Sequence, residues 1–472
     1  HPLTLYVGYI ALSIPFGFAI GSILSKDKTD SWIILSKRWT YFSWVFLSIG
    51  LLLGSRWAYL ELGWGGYWAW DPVENVALMP WLALTAFVHS SMAQESRSLL
   101  RKWNICLIFI AFFLSIFGTF ITRSGLISSV HSFAQSSIGP YFIVFILLLV
   151  GFSIFIYQRN KRFICSNQEI VSLFSKENFF IFNNIFFLVI TLTVLLGTIF
   201  PILSEAITGE KILVGPSFYN LVNFPNVLLL MSLMSVAPII PWKEGRILPI
   251  LKFIFIPFII SFLLTLASLF FFYNIKVLLV FFLSFFIISI ILKELIEDFK
   301  LQLIKQINIT EIFRLKLRRY CSFLIHFGII LAIIGITLSS TYGTKSDFIL
   351  SKSEKIDINQ YEVQLINTYR KEIESKTILG AHLTLLDGKN LYSLYPEQNL
   401  YKYEGNRSIN KETEVAIYSG IMKDYYIILV DELDGDRFNF KIYINPWVSL
   451  LWIGSLISIL GGFVLLLRRK TL

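Results

Sequence analysis

The chain has 472 residues, of which 55% are hydrophobic and 15% charged, and its mean hydropathy is +0.67. A soluble protein of this length carries about a quarter charged residues, and neither disordered nor fibrous chains are this apolar, so the composition is that of a membrane protein. The net charge of +10 reads as basic loops flanking membrane spans rather than as a nucleic-acid interface. Cys106, Cys165 and Cys321 form no CxxC pair, which argues against a disulfide framework or a zinc site. Because the chain opens at His1 with no methionine or cleavage signal, it is expected to be a fragment or a processed product.

A membrane-spanning helix needs roughly 20 mostly apolar residues, and about eleven such runs follow one another along the chain. They are Leu3–Leu24, Trp39–Tyr59, Val76–Met92, Trp103–Ile121, Tyr141–Tyr157, Phe179–Phe200, Val222–Ile240, Leu248–Phe272, Ile275–Leu292, Tyr320–Ser339 and Trp447–Leu467. Basic residues gather in alternate loops: Lys26, Lys28, Lys37 and Arg38, then Arg97, Arg101 and Lys102, then Arg159, Lys161 and Arg162. The series continues with Lys243 and Arg246, then Lys300 through Arg319, and ends in the tail at Arg468, Arg469 and Lys470. These loops face inward, and the intervening loops, almost without positive charge, face outward. Between Thr341 and Asn445 the pattern changes to alternating runs such as Tyr361–Leu365 and Phe438–Ile442, with turn signals at Asp387-Gly388 and Asp434-Gly435. That is the pattern of half-buried strands. The expected fold is an all-α polytopic membrane bundle of about eleven transmembrane helices with one β-rich extracytoplasmic soluble domain. Residues 1–340 form the helical core, with outer loops at about 60–76 and 123–139; residues 341–445 form the soluble domain; residues 446–472 form a closing helix and basic inner tail.

The first of those outer loops reads Glu61-Leu62-Gly63-Trp64-Gly65-Gly66-Tyr67-Trp68-Ala69-Trp70-Asp71-Pro72-Val73-Glu74-Asn75. Two readings are open. Trp and Tyr collect at membrane interfaces in general, but a belt of that kind requires neither the Gly-Gly spacing nor the Asp-Pro-x-Glu ending. Glycines between Trp64, Trp68 and Trp70 let the backbone approach a flat ligand closely, and a porphyrin is such a ligand.

Haem iron takes axial donors, most often histidine in b-type sites, and the chain has five histidines. His1 and His131 both lie on the outer face, as candidate ligands flanking a haem at the tryptophan loop; the alternatives are a frayed chain end and a solvated loop histidine. His89, a few residues before the basic segment at Arg97, and His326, a few residues after Arg318 and Arg319, reach a similar depth in the inner half of the membrane. Ionisable groups within spans are costly and signal function, so this matched pair suggests bis-histidine ligation of a buried b haem, with ordinary inter-helix hydrogen bonds as the alternative. His382 reads as a surface histidine of the soluble domain. Asp71 and Glu74 either orient the loop turn or contact a partner, and Arg56 and Arg123 either pair with haem propionates or snorkel to the interface.

The string Trp64-Gly65-x-x-Trp68-x-Trp70-Asp71-Pro72-x-Glu74-Asn75, followed by Met79-Pro80-Trp81-Leu82, resembles the signature of the WWD haem-handling proteins, and most closely the CcmF-type haem lyases of cytochrome c maturation. Further matches are Gly118-Thr119-Phe120, Thr122-Arg123-Ser124-Gly125, Asn183-Asn184, Gly197 through Pro201, Val214-Gly215-Pro216, Tyr395-Pro396-Glu397 and Thr413 through Ile417. The resemblance implies that His1 and His131 bind haem delivered by the chaperone CcmE over a platform that includes Trp64, Trp68, Trp70 and Asp71. It also implies that His89 and His326 hold a stable haem b, reduced from quinol, and that haem vinyl groups are joined to the thiols of a CxxCH apocytochrome c. CcmH- and CcmI-type subunits are the implied partners. Family members carry further spans upstream of the first histidine, so a separate chain is expected to supply that portion if the sequence is not truncated. The implied place is a bacterial inner membrane with a periplasmic soluble domain, the mitochondrial inner membrane being the alternative. A haem transporter and a quinol-linked b-type electron-transfer protein are the rival functions; the first lacks the expected internal repeat, and the second leaves the tryptophan loop without a role.

Overall fold

The computed structural model describes residues 1–127, 129, 138–164, 172–305, 309–402, 409–434 and 436–467. The described helices are α1 (Pro2–Leu24), α2 (Ser31–Glu61), α3 (Pro72–Arg97), α4 (Arg101–Ser124), α5 (Gly139–Asn160), α6 (Lys176–Thr208), α7 (Pro216–Val236), α8 (Ile247–Ser268), α9 (Ile275–Lys305), α10 (Ile309–Tyr342) and α11 (Ser449–Leu467). Among the described residues ten helices are long and apolar enough to cross a membrane. The one left out is α2, the second expected span, whose Trp, Tyr, Ser and Arg residues dilute its hydropathy although it is helical throughout. Several helices outrun the expected spans because polar turns continue them beyond any apolar run: α3 ends at Arg97 and α9 at Lys305. Proline occupies the first turn of α1, α3, α5 and α7, where its missing N–H has no intrahelical partner to lose.

The chain divides into two compact units. The helical unit comprises His1–Leu52, Trp70–Ile330 and the residues from Ser455 onward. Its centre is α3, packed between α4 and α6. Of its apolar stretch 67% is buried, against 11% for α8, so α3 is a core helix and α8 a lipid-facing one. The sequences explain the contrast. On α3, Ala77, Ala83, Ala86, Ala93 and Ser90 let neighbouring backbones approach closely, whereas α8 presents Phe and Ile all round. The core of this unit gathers Leu12, Trp44, Met79, Leu84, Phe87, Leu107, Ile108 and Val194.

The second unit comprises Leu53–Ala69 and Leu331–Gly454. Its strands are β1 (Thr344–Ser351), β2 (Lys355–Ile358), β3 (Tyr361–Ile373), β4 (Lys376–Asp387), β5 (Asn390–Leu394), β6 (Glu397–Lys402), β7 (Ile409–Glu414), β8 (Ala416–Ser419), β9 (Lys423–Leu433) and β10 (Arg437–Pro446). They form two antiparallel sheets, β1-β10-β9-β8 and β2-β3-β4-β6-β7, with β5 paired to β4. Alternation in β10, in the first half of β3 and in the second half of β4 sends Val363, Leu365, Leu383, Leu385, Phe440 and Ile442 into one shared core. The β4–β5 connection turns at Gly388, with φ of +61°, as the Asp-Gly signal predicts. Gly435 of the second turn signal and the basic tail Arg468–Lys470 lie outside the described residues.

Candidate functional site

The two histidines expected within the membrane, both half-buried, come together. His89 on α3 and His326 on α10 lie with ring centroids 6.3 Å apart and planes within 3° of parallel. Two imidazoles carried by different helices thus share one place with their planes parallel. His89 and His326 are the residues that would hold a haem b, whose iron takes histidine donors. Nδ1 of His89 lies 2.8 Å from the Thr85 carbonyl. A carbonyl only accepts, so Nδ1 carries the proton and Nε2 keeps the lone pair that a metal needs. Among the described residues no group of three or more His, Cys, Asp or Glu side chains is arranged to hold a metal ion; a haem needs only two protein donors, the porphyrin supplying the rest. The rings of Phe180 and Phe187 on α6 lie 6.4 and 6.1 Å from that of His89, an apolar setting suited to a macrocycle.

Polar ties fix the helices around the pair. Trp44 donates from Nε1 to the Thr85 hydroxyl at 2.9 Å, and Thr85 donates in turn to the Trp81 carbonyl at 2.7 Å. Trp81 donates to Ser48 at 2.7 Å, and the Trp44 and Trp81 rings stack at 6.0 Å. With its amide oriented to satisfy its neighbours, Asn184 on α6 donates to the Ala86 carbonyl at 2.9 Å and accepts from Ser90 at 3.1 Å. On the side of α3 and α10 that bears the basic segments, Glu95 accepts from Lys37 at 2.7 Å and from Arg318 at 2.9 Å.

Trp70 and Asp71 belong to the helical unit. Trp70 has a left-handed backbone, φ +59°, uncommon for a bulky residue. Its indole stacks on Tyr219 of α7 at 4.8 Å and 8°, and Nε1 donates to Asn220 at 3.0 Å. Asp71 caps α3 in a reciprocal box: its side chain accepts from the Val73 amide at 3.0 Å, and Glu74 accepts from the Asp71 amide at 3.1 Å. The same Asp71 carboxylate accepts from Ser129 at 2.6 Å. Asn75, buried, donates to the Trp70 carbonyl at 3.1 Å and to Thr198 at 3.0 Å. The Asp-Pro-x-Glu-Asn ending is thus a device that starts α3 and pins the last tryptophan.

Trp64 and Trp68, both half-buried, belong to the β-rich unit. Gly63 and Gly65 carry φ of +65° and +75°. A Cβ on Gly65 would sit 2.3 Å from the ring of Tyr443, so only glycine fits there. Asn445 donates to the Gly65 carbonyl at 2.9 Å and to the Tyr59 hydroxyl at 3.1 Å, and the hydroxyls of Tyr67 and Ser339 lie 2.9 Å apart. Arg56 lies over the rings of Tyr59 and Trp452, at 5.7 and 5.2 Å, a cation–π seat in this unit.

The remaining histidines differ. His1 precedes α1, its carbonyl accepting from the Thr4 hydroxyl at 2.8 Å. His131 and Cys165 lie outside the described residues. His382, expected at the surface, is half-buried and stacks on Tyr395 at 4.5 Å. Sequence reasoning overlooked Tyr219, Asn220 and Thr198 behind the loop, and Glu95 below the histidines. The available signal for Glu95 was an acid six residues after His89 in a basic neighbourhood.

Residues 1–131 match the family model described as cytochrome C assembly protein, and residues 341–446 match the CcmF C-terminal beta-sandwich. The chain is 34% identical to the cytochrome c-type biogenesis protein CcmF of Pseudomonas aeruginosa, covering 100% of this chain and 71% of the relative. It is 32% identical to CcmF of Escherichia coli, covering 99% and 70%. Its fold resembles the solved structure of the cytochrome c haem lyase CcmF with a TM-score of 0.81 at 25% identity, over 99% of this chain and 72% of that one. The chain belongs to the CcmF family and is an integral membrane protein.

Proposed function

We propose that the protein is the haem lyase of a cytochrome c maturation system, with a resident haem b between His89 and His326 and a second haem, its substrate, presented at the tryptophan loop. The observation that carries the reading is the parallel histidine pair at 6.3 Å. The substrate haem would arrive from the chaperone CcmE and take His1 and His131 as axial ligands, with Trp64, Trp68, Trp70 and Asp71 around it. CcmH- and CcmI-type subunits would bring the apocytochrome c, on the periplasmic face of a bacterial inner membrane. When bound, the resident haem supplies one-electron chemistry, drawn from quinol and directed at the substrate iron.

The chain's own work is positional. His89, held by the Thr85 carbonyl, offers Nε2 in a fixed tautomer. Trp70, locked by Tyr219, Asn220 and the α3 cap, gives the loop one rigid edge. In the joining step each apocytochrome thiol sulfur bonds to a vinyl carbon of the substrate haem and its proton ends on the neighbouring carbon, so the addition is redox-neutral. Nucleophile and electrophile both come from the substrates, and orientation is what the protein must provide.

The test is the reduced visible spectrum of the purified membrane protein, as wild type and as His89→Ala, His326→Ala and His131→Ala. Loss of a b-type α-band in the first two variants, with its retention in the third, is the expected result. A wild-type spectrum in both buried-histidine variants, or no haem in the wild type, would remove the redox half of the proposal.

A further inference from the structure

We infer that Glu95 is a positioning residue for the buried histidine pair. By holding Lys37 of α2 and Arg318 of α10 on one carboxylate, it sets the separation of α3 and α10 at which His89 and His326 can ligate one iron. The inference rests on the bis-histidine reading above.

The 6.3 Å separation of the two rings follows the separation of the helices that carry them, and α3 and α10 are tied directly to each other by the Arg318–Glu95 bond. Glu95 lies six residues beyond His89 on α3, about 9 Å along the axis, and Arg318 lies eight residues before His326 on α10, about 12 Å away. Both helices are therefore tied about two turns from the ligands, on the same side of them. Lys37 reaches both carboxylate oxygens at 2.7 Å, and Arg318 Nη1 donates to Oε2 at 2.9 Å. The neighbouring Arg319 pulls the other way, to Glu294 at 2.6 Å and Asp298 at 3.3 Å on α9. Consecutive arginines thus fasten α10 to two different helices, and α10 cannot slide or rotate without breaking one tie.

Charge sharpens the point. The side chains of Lys37, Glu95 and Arg318 are 24, 23 and 31% exposed, so solvent screens them only in part. Neutralising Glu95 weakens both bonds at once, because one carboxylate serves cations from two different helices. Iron ligation tolerates displacements of only about 0.5 Å, so a small splay of α3 from α10 is read directly as lost ligation.

The experiment compares the wild-type membrane protein with Glu95→Gln, Arg318→Met and the conservative Arg318→Lys. The readouts are haem bound per mole of monodisperse protein, and the low-spin signature of the ferric state in visible and electron paramagnetic resonance spectra. Glu95→Gln and Arg318→Met are expected to lower haem affinity by about tenfold or more and to bring in a high-spin component, while Arg318→Lys keeps the wild-type spectrum. Wild-type affinity and low-spin spectra in both disruptive variants overturn the inference. So does a loss in Arg318→Lys equal to that in Arg318→Met, because a preserved cation should preserve the tie. A wild-type protein without low-spin haem fails the bis-histidine reading itself, and is told apart because it shows before any variant is made.

Discussion

Gly65 and Gly66 are adjacent, yet alanine should separate them sharply. Gly65 has φ of +75°, and an added Cβ would lie 2.3 to 2.5 Å from three ring carbons of Tyr443, whereas a Cβ on Gly66 meets nothing within 4 Å. The left-handed backbone costs an alanine about 1–2 kcal/mol. The ring cannot easily retreat, because Tyr443 packs edge-on against Tyr426 at 5.7 Å and lies under Lys345, so overpacking adds about 1–3 kcal/mol. If the backbone shifts to relieve this, the Asn445 bond to the Gly65 carbonyl is lost, for about another 1 kcal/mol. The total, roughly 3–6 kcal/mol, approaches the net stability of a whole domain. The cheaper escape is for the loop to leave its seat. Gly65→Ala should therefore abolish amide hydrogen-exchange protection across residues 61–69 and reduce cytochrome c yield, while Gly66→Ala stays within about 0.5 kcal/mol of wild type in both. Wild-type protection of the loop in Gly65→Ala, or equal damage from the two substitutions, would refute the reasoning.

Removing the α3 cap with Asp71→Ala should cost about 1–2 kcal/mol and speed exchange at the Val73 and Glu74 amides, whereas Asp71→Asn, which keeps an acceptor oxygen, should lose far less. Tyr219→Ala should free the Trp70 indole, seen as a fall in fluorescence anisotropy in a protein keeping Trp70 as its reporter, and should cost about 3–5 kcal/mol as a large-to-small change at a buried site. In the β-rich unit, hydrogen bonds from Lys423 and Tyr425 hold the Asp387 carboxyl below its ordinary range despite some burial. Its contribution is present above the unfolded value near pH 4 and is lost as pH falls through the depressed folded value. Asp387→Asn should flatten that acid limb in the exchange of β4 amides, and an unchanged limb would show that another group governs it.

The membrane spans and the strands were legible because both announce themselves by period: long apolar runs for the helices, and alternation for β3 and β10. Helix ends were not, since the polar turns that carry α3 to Arg97 or α10 back to Ile309 score against any hydropathy window. His89 and His326 were paired from depth alone, which the charge of the flanking loops supplied. Their spacing and parallel planes depend on side-chain packing between distant segments, which depth does not encode. The loop residues were visible as a pattern, but their work was not. Whether Asp71 served a ligand or a helix cap turned on the Glu74 and Val73 contacts, and Arg56 lies over Tyr59 and Trp452 through a neighbour nearly four hundred residues away in sequence.

The two places marked by the sequence make different mechanical demands. A resident cofactor is served by ligands on long helices whose separation is fixed by packing and ion pairs, and His89 and His326 have that setting. A site that loads a substrate and releases a product has to hold its cargo with less. The tryptophan loop fits that need: its shape rests on left-handed residues at Gly63, Gly65 and Trp70, and at Trp70, the one that is not glycine, local strain of order 1–3 kcal/mol is offset by a few neighbours. At Trp70 those neighbours are the Tyr219 stack, the Asn220 bond and the Asn75 anchor. Small changes in any of them shift the loop while leaving the bundle intact. Under the proposed function, such a division would let the loop change shape while His89 and His326 keep theirs.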